Sequence, residues 1–164
     1  MATSKDLYMQ FKGHESAWDG SNTTTLVEKE MDTGLSIRGG LVWLIHMVEW
    51  FITATLSTDL THHRACLNSV AGQTSLPTLT AIGTLAYVDV IGKCVSSGGG
   101  FVSMPIAEKF LPPVPFAKPN LSLYCAMSGN IAAMQGEDVL ARICFTTEEL
   151  DQAMYQEIAE VWGW

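Results

Sequence analysis

Histidine, cysteine and carboxylate side chains are the residues of this chain that could perform catalysis or bind a metal. Their densest group is Asp59, His62, His63 and Cys66. Adjacent residues on a strand point to opposite faces, so His62 and His63 cannot easily bind one ion. A lone cysteine among strand-forming residues usually packs in a core, which argues against Cys66 as a nucleophile. We therefore predict no metal site and no catalytic thiolate in this group.

Two further pairs, His14–Glu15 and His46–Glu49, have side chains suited to acid–base catalysis. Neither pair comes with a third catalytic element that the sequence identifies. The glycines at 98–100 are not followed by the Lys-Ser or Lys-Thr of a phosphate-binding loop, and neither G-x-G-x-x-G nor G-x-S-x-G occurs. We expect no catalytic residue, no cofactor and no metal, and hence a protein that is not an enzyme.

The cysteines are too far apart in the sequence to form a zinc ribbon or a redox motif. No C-x-x-C pair occurs, although such sites need closely spaced ligands. We expect reduced thiols that pack as small hydrophobic side chains. The four residues are Cys66, Cys94, Cys125 and Cys144.

The composition indicates one domain, spanning residues 1–164, that is unusually poor in charge. Hydrophobic residues make up 48% of the chain and charged residues 16%, against about 25% charged in typical soluble proteins. Some apolar surface is therefore expected to be covered by partners. The net charge of −8 and the scattering of only nine Lys and Arg residues argue against binding to a nucleic acid backbone.

The start of the chain lacks the apolar segment of a secretory signal peptide, which predicts synthesis in a cytoplasm. The longest apolar stretch runs from Leu35 to Ile52. It contains Arg38, His46 and Glu49, whose charges would be costly at the centre of a bilayer. We do not expect this stretch to span a membrane.

Most of the chain has the pattern of β-strands. Alternating apolar residues predict a strand within Asp6–Trp18 that forms a hairpin with Thr23–Met31 through a turn at residues 19–22. The proline-rich segment Leu111–Asn120 cannot be a central strand, because proline lacks an amide donor, and we expect an extended connection there. Further strands are predicted at Leu60–Val70, Leu79–Val95, Leu121–Met127 and Val139–Phe145.

Two segments have helical spacing of apolar residues. In the first, an early helix over about Ser36–Phe51, apolar side chains recur at intervals of three and four; a continuous buried strand is the competing interpretation. In the second, Thr146 and Glu149 match a capping box before Leu150, Met154, Ile158 and Val161. This pattern predicts an amphipathic C-terminal helix over about Thr147–Trp162.

Four tryptophans are candidates for contacts between subunits. Trp43 and Trp50 lie on a second face of the predicted early helix, which is too apolar to face water. Trp162 and Trp164 end the chain, where side chains move freely unless the fold or a neighbouring subunit holds them. For Trp162, the alternative is that it completes the core face of the C-terminal helix.

The order of these elements, together with two sequence segments, resembles a known class of virus proteins. The segments are Leu35-Ser36-Ile37-Arg38-Gly39-Gly40-Leu41-Val42-Trp43-Leu44-Ile45-His46 and residues 120–164, with Asn120-Leu121-Ser122-Leu123-Tyr124, Ala141-Arg142-Ile143-Cys144-Phe145-Thr146-Thr147 and Tyr155. They resemble the small single jelly-roll capsid and virion structural proteins of bacterial, archaeal and environmental viruses. The resemblance covers about a third of the chain and consists mostly of patterning.

The resemblance implies an eight-stranded jelly-roll β-sandwich of two antiparallel sheets whose function resides in contacts between subunits. It implies a structural protein of the virion, a capsid or coat subunit that self-assembles into a shell with copies of itself and other virion proteins. No catalytic residue and no small-molecule substrate carry over. Because this chain lacks a basic arm, we expect no direct binding of nucleic acid, and an internal membrane beneath the shell would fit an acidic subunit.

Two other functions stay open at this point. A carbohydrate- or ligand-binding β-sandwich module would use exposed Tyr and Trp side chains to stack on a sugar, whereas assembly predicts aromatic side chains buried between chains. A cupin-like enzyme would need several histidines and a carboxylate converging inside a barrel, and the four histidines of this chain are scattered.

Overall fold

The computed structural model describes residues 9–12, 26–36, 40–56, 61–92, 100–128 and 138–162. Within these ranges the chain is mainly β, as predicted, and no helix there is long and apolar enough to cross a membrane. The elements are β1 Met9–Lys12, β2 Leu26–Asp32, β3 Leu41–Leu56, β4 Thr61–Asn68, β5 Thr84–Gly92, β6 Gly100–Phe116, β7 Asn120–Ser128, β8 Asp138–Glu149 and α1 Gln152–Val161.

The strands form two four-stranded antiparallel sheets. Sheet A has the order β1-β8-β3-β6 and sheet B the order β2-β7-β4-β5. The pairs are nested: β4 pairs with β5, β3 with β6, β2 with β7 and β1 with β8. The predicted hairpin between the first two strands is therefore wrong, since β1 and β2 lie in different sheets.

The hydrophobic core lies between the inner faces of the two sheets, which gives a sandwich-like fold. Sheet A contributes mostly the central strands β3 and β8, and sheet B contributes β4, β5 and β7. Burying such side chains stabilises the fold by roughly 1.5–3 kcal/mol each. The fully buried large side chains are Trp50, Tyr124, Phe116, Phe145, Met31, Ile45, Ile52, Leu67, Leu121, Leu123 and Ile143.

The predicted early helix over Ser36–Phe51 is wrong, and the competing interpretation of a strand is correct from Leu41 onwards. The inward-facing residues of β3 are Trp43, Ile45, Val48, Trp50 and Ile52. A register shift between Ile45 and Met47 places one extra residue between two inward-facing positions. This bulge produces the interval of three that resembles helical spacing in the sequence.

The proline-rich segment is part of an edge strand. Pro112, Pro113 and Pro115 lie within β6, whose only neighbour in sheet A is β3 among the strands described. An edge strand tolerates missing amide donors, so the prediction that this segment is not a central strand is confirmed. Its assignment as a connection is wrong except at residues 117–119. Residues 110–113 have no register partner in β3, because Val114 pairs with Ile45 and Lys109 with Met47.

The C-terminal helix is confirmed but begins later than predicted. Thr146 and Glu149 belong to β8, where residues 146–149 continue the pairing with β3, so the predicted capping box is wrong. Asp151 caps the helix instead, and its side chain accepts a hydrogen bond from the backbone N–H of Met154 at 2.9 Å. The buried face is formed by Tyr155 and Ala159 with Ile158 beside them, whereas Met154 and Val161 of the predicted face are exposed.

Helix α1 packs on the outer face of sheet A. Tyr155 and Ala159 cluster with Val42 and Ala117, and the Tyr155 hydroxyl lies 3.0 Å from the carbonyl oxygen of Ala117. At the end of the helix, Trp162 donates from Nε1 to the carbonyl of Pro115 at 2.7 Å and joins the main core. The helix therefore covers one end of the outer face of sheet A.

A loop, Ser69–Gly83, covers part of the outer face of sheet B. The buried Tyr124 hydroxyl lies 2.6 Å from Glu28 Oε1 and 2.8 Å from the carbonyl oxygen of Val70, and the Gly72 N–H donates to the Glu28 carboxylate at 3.1 Å. Burial, with the nearby Glu28 carboxylate, raises the pKa of Tyr124 to about 12. Although desolvation opposes it, hydrogen bonds from Tyr124, Gly72 and Ser122 lower the pKa of Glu28. This network fixes the loop to strands β2 and β7.

Candidate subunit interface

The tryptophans predicted at subunit contacts lie in the core of the single chain. Trp43 is buried and stacks on Phe145 with ring centroids 3.8 Å apart, and Trp50 is completely buried. Trp162 is buried against Phe116, so it completes the core beyond the helix. Their rings are thus largely covered within the single chain. A role of these residues in subunit contacts stays a prediction. Trp164 lies outside the described residues.

The histidines at the start of β4 point to opposite faces, as predicted. His62 pairs with the Asp89 carboxylate on the outer face of sheet B, while His63 is buried on the inner face. Burial raises the pKa of the Cys66 thiol to about 11, which keeps it protonated at neutral pH. Within the described ranges no three potential ligands gather around a common point. His14, Glu15, Asp59 and Cys94 lie outside those ranges.

The buried His63 predicts a loss of stability in mild acid. Desolvation, followed by the charge of His62, lowers the pKa of His63 from its ordinary value near 6.5. As pH falls through that value, the unfolded chain binds a proton that the folded chain resists, so the free energy of unfolding decreases. Urea unfolding between pH 7.5 and 5 would measure the slope. His63→Gln should flatten it, and His62→Gln, which removes only the smaller of the two causes, should change it less. A slope unchanged by His63→Gln would contradict this assignment.

His46 and Glu49 have different partners and do not form a pair. The predicted i, i+3 contact required a helix, whereas both residues lie on β3. His46 Nε2 is 2.9 Å from Thr146 Oγ1, at the bulge, and Glu49 forms an ion pair with Arg142 of β8. The carboxylate is thus committed to a guanidinium, which leaves the acid–base hypothesis for His46 and Glu49 without geometric support.

The part of the outer face of sheet A that helix α1 does not cover is the strongest candidate for a contact surface among the described residues. On strands β8, β3 and β6 its residues form three rows across the sheet, defined by the strand register: Cys144, Met47 and Lys109; then Arg142, Glu49 and Ala107; then Leu140, Phe51 and Pro105. A sheet face that meets water usually carries polar side chains. Here most positions are apolar, which favours coverage by a partner. We call Met47, Phe51, Lys109, Leu140 and Arg142 the sheet A patch.

One ion pair organises the centre of the sheet A patch. Arg142 pairs with Glu49, and its guanidinium carbon lies 5.2 Å from the centre of the Phe51 ring. A cation at this distance from the ring centre is attracted by the negative face of the aromatic ring. Glu49 and Arg142 neutralise each other, so the exposed Lys109 contributes the remaining positive charge among the side chains described.

Beside this patch, the outward face of α1 is acidic with two exposed apolar side chains. Glu157 and Glu160 are exposed, and so are Met154 and Val161, by 52% and 76%. These four residues, which we call the α1 ridge, lie opposite the buried Tyr155 and Ala159. The helix itself contains no Lys or Arg, so its own charged residues are all acidic.

The sequence alone did not reveal either surface. Interpreting residues 36–51 as a helix placed Glu49 on the opposite side from Met47 and Phe51, whereas all three share one face of β3. The ridge was missed because Met154 and Val161 were assigned to the buried face. One available signal was the alternation Leu140, Arg142, Cys144 in the predicted strand Val139–Phe145, which places these residues opposite the buried Ala141 and Ile143.

Comparisons with known proteins do not assign this chain to a family. Searches against protein-family models and against curated proteins found no significant match. The functional argument therefore depends on the geometry of the fold and on these two surfaces.

Proposed function

We propose that this chain is a single jelly-roll structural subunit of a virus particle, a capsid or coat protein that acts by self-assembly into a shell. The observation that carries the proposal is the nested strand pairing. Each strand pair encloses the next, and the chain changes sheet at every connection except that between β4 and β5. Such a wrapped antiparallel arrangement of eight strands in two sheets is the architecture used by capsid domains, lectins and cupins.

Among the functions that this architecture serves, assembly agrees best with the surface. The outer face of sheet A combines half-buried apolar side chains with a satisfied ion pair, a composition suited to protein contact. The formal charge of −8 argues for a shell component that does not bind the genome directly. The genome would be bound by another protein, or the shell would surround a membrane. We propose copies of the chain and other virion proteins as its partners, and the virion as its location.

The alternative of a carbohydrate-binding module has weaker support. Stacking on a sugar requires exposed aromatic rings, and Trp43, Trp50 and Trp162 are buried in the core. Among the described side chains the aromatic rings with partial exposure, such as Phe51 and Tyr87, lie on different sheets. Phe51 is further occupied by the Arg142 guanidinium.

Negative-stain microscopy and multi-angle light scattering of the purified chain would test the proposal. We expect closed particles, or a large oligomer with one defined mass. A monodisperse monomer at all accessible concentrations would contradict it. Binding of a panel of oligosaccharides by the monomer would favour the carbohydrate-binding alternative.

A further inference from the structure

We propose that the α1 ridge of one copy docks on the sheet A patch of a second copy, and that the same contact is repeated around a two-fold axis. This inference rests on the proposed function, since it names the surface through which self-assembly begins. It follows from three features: the position of the two surfaces on one face, their opposite charge, and their exposed apolar side chains.

The ridge and the patch are neighbours on the same face of the molecule. Helix α1 covers Val42 and Leu44 on β3, and the patch continues along the same strand from Met47 to Phe51. A two-fold axis parallel to this face, running between the helix and the patch, places each ridge over the patch of the other copy. The contact is then self-complementary and forms twice, as in most protein dimers.

The charges of the two surfaces favour this contact. The ridge presents Glu157 and Glu160, and the patch presents Lys109 beside the neutralised Arg142–Glu49 pair. The chain as a whole has a net charge of −8, whereas the sheet A patch is positively charged and lies next to the acidic ridge. Complementary charge of this kind fixes the register of a contact and excludes wrong partners.

Exposed apolar side chains on both surfaces provide the area that would be buried in the contact. Met154 and Val161 are more than half exposed although the helix has a well-formed buried face. Met47, Phe51 and Leu140 on the patch are half-buried and lie in the two rows on either side of the Arg142–Glu49 pair. Covering these side chains from both copies removes apolar surface from water at the centre of the contact.

Charge reversal with rescue would test the contact in the full chain. K109E, and separately E157K/E160K, should raise the concentration needed for association about tenfold or more, because like charges would then face each other. The combined K109E/E157K/E160K variant should restore association to within about threefold of the wild type, since the charge pairs are remade in reverse. Sedimentation velocity over a concentration series would measure each.

The matched controls lie on β2 at the edge of sheet B, where Lys29 and Glu30 are exposed. K29E changes the net charge by the same amount as K109E, and E30K by the same amount as E157K or E160K alone. Both control variants should leave association unchanged. If the ridge and patch variants associate like the wild type, if the controls weaken association equally, or if the combined variant fails to restore it, the proposed contact is overturned.

These outcomes are separate from those for the proposed function. Closed particles that persist unchanged in the reversal variants would overturn the contact and leave the shell proposal standing. Dimers that respond to the reversals and never grow larger would support the contact and overturn the shell proposal. A wild-type chain that stays monomeric would overturn both.

Discussion

Replacing Trp50 with alanine is expected to lower the free energy of unfolding by about 3–5 kcal/mol, the cost of removing a large aromatic side chain from a packed core. Trp50 is completely buried on β3, the strand at the centre of sheet A that pairs with both β6 and β8. A cavity at this position cannot fill from solvent, and the surrounding side chains come from paired strands that move little.

The matched variant Trp50→Phe separates the ring from its polar atom. Trp50 Nε1 is buried and has no hydrogen-bond partner among the described residues. Leaving such a donor unsatisfied costs about 1–3 kcal/mol, so its removal offsets part of the lost packing, and Trp50→Phe should cost much less than Trp50→Ala. Guanidinium unfolding followed by circular dichroism would compare both with Val161→Ala, whose side chain is 76% exposed. Equal effects for Trp50→Ala and Val161→Ala would contradict the core assignment.

Substituting alanine for Gly40 should also be strongly destabilising. Gly40 has φ of +62°, and an added Cβ would lie 2.8 Å from the backbone oxygen of Leu150. The Leu150 N–H in turn donates to the Gly40 carbonyl at 2.8 Å, so this contact ties the start of β3 to the junction between β8 and α1. The left-handed conformation costs about 1–2 kcal/mol for alanine, and displacing the backbone adds about 1–3 kcal/mol.

Gly34→Ala is the control for this prediction. Gly34 has a similar φ of +73°, but no atom lies within 4 Å of an added Cβ. Its replacement should therefore cost only the conformational penalty, about 1–2 kcal/mol. Chemical unfolding of both variants would give the difference. If the two losses are equal, the close approach of Leu150 to Gly40 does not contribute to stability.

Much of the strand content could be predicted from the sequence, because the strands β4, β5, β7 and β8 carry β-branched and apolar residues bounded by turn residues. The segment that forms β3 could not. Its inner face packs in the core, its outer face near Val42 is covered by α1, and a bulge interrupts its alternation. A strand that is covered on both faces loses the period of two on which the prediction depends.

The positions of the candidate surfaces depend on long-range pairing that a local pattern cannot specify. Nothing in the residues around Arg142 indicates that Glu49 and Phe51 lie beside it, since the contact requires β3 and β8 to be neighbours. The tryptophans illustrate the opposite problem. Their apolar character was recognised correctly, but sequence does not distinguish burial within one chain from burial between two.

The position of each strand in the sequence determines when the sheet A patch and the α1 ridge are completed during synthesis. Among the strands that pair with each other, only β4 and β5 are consecutive in the sequence. Each of the other pairs must close a longer stretch of chain, which costs more entropy and slows folding. Strand β8 and helix α1 are translated after all the other elements described, and they supply Leu140, Arg142 and the whole acidic helix face. If the proposed contact holds, a nascent chain that still lacks its last strand has no complete contact surface, and incomplete polypeptides would be excluded from association.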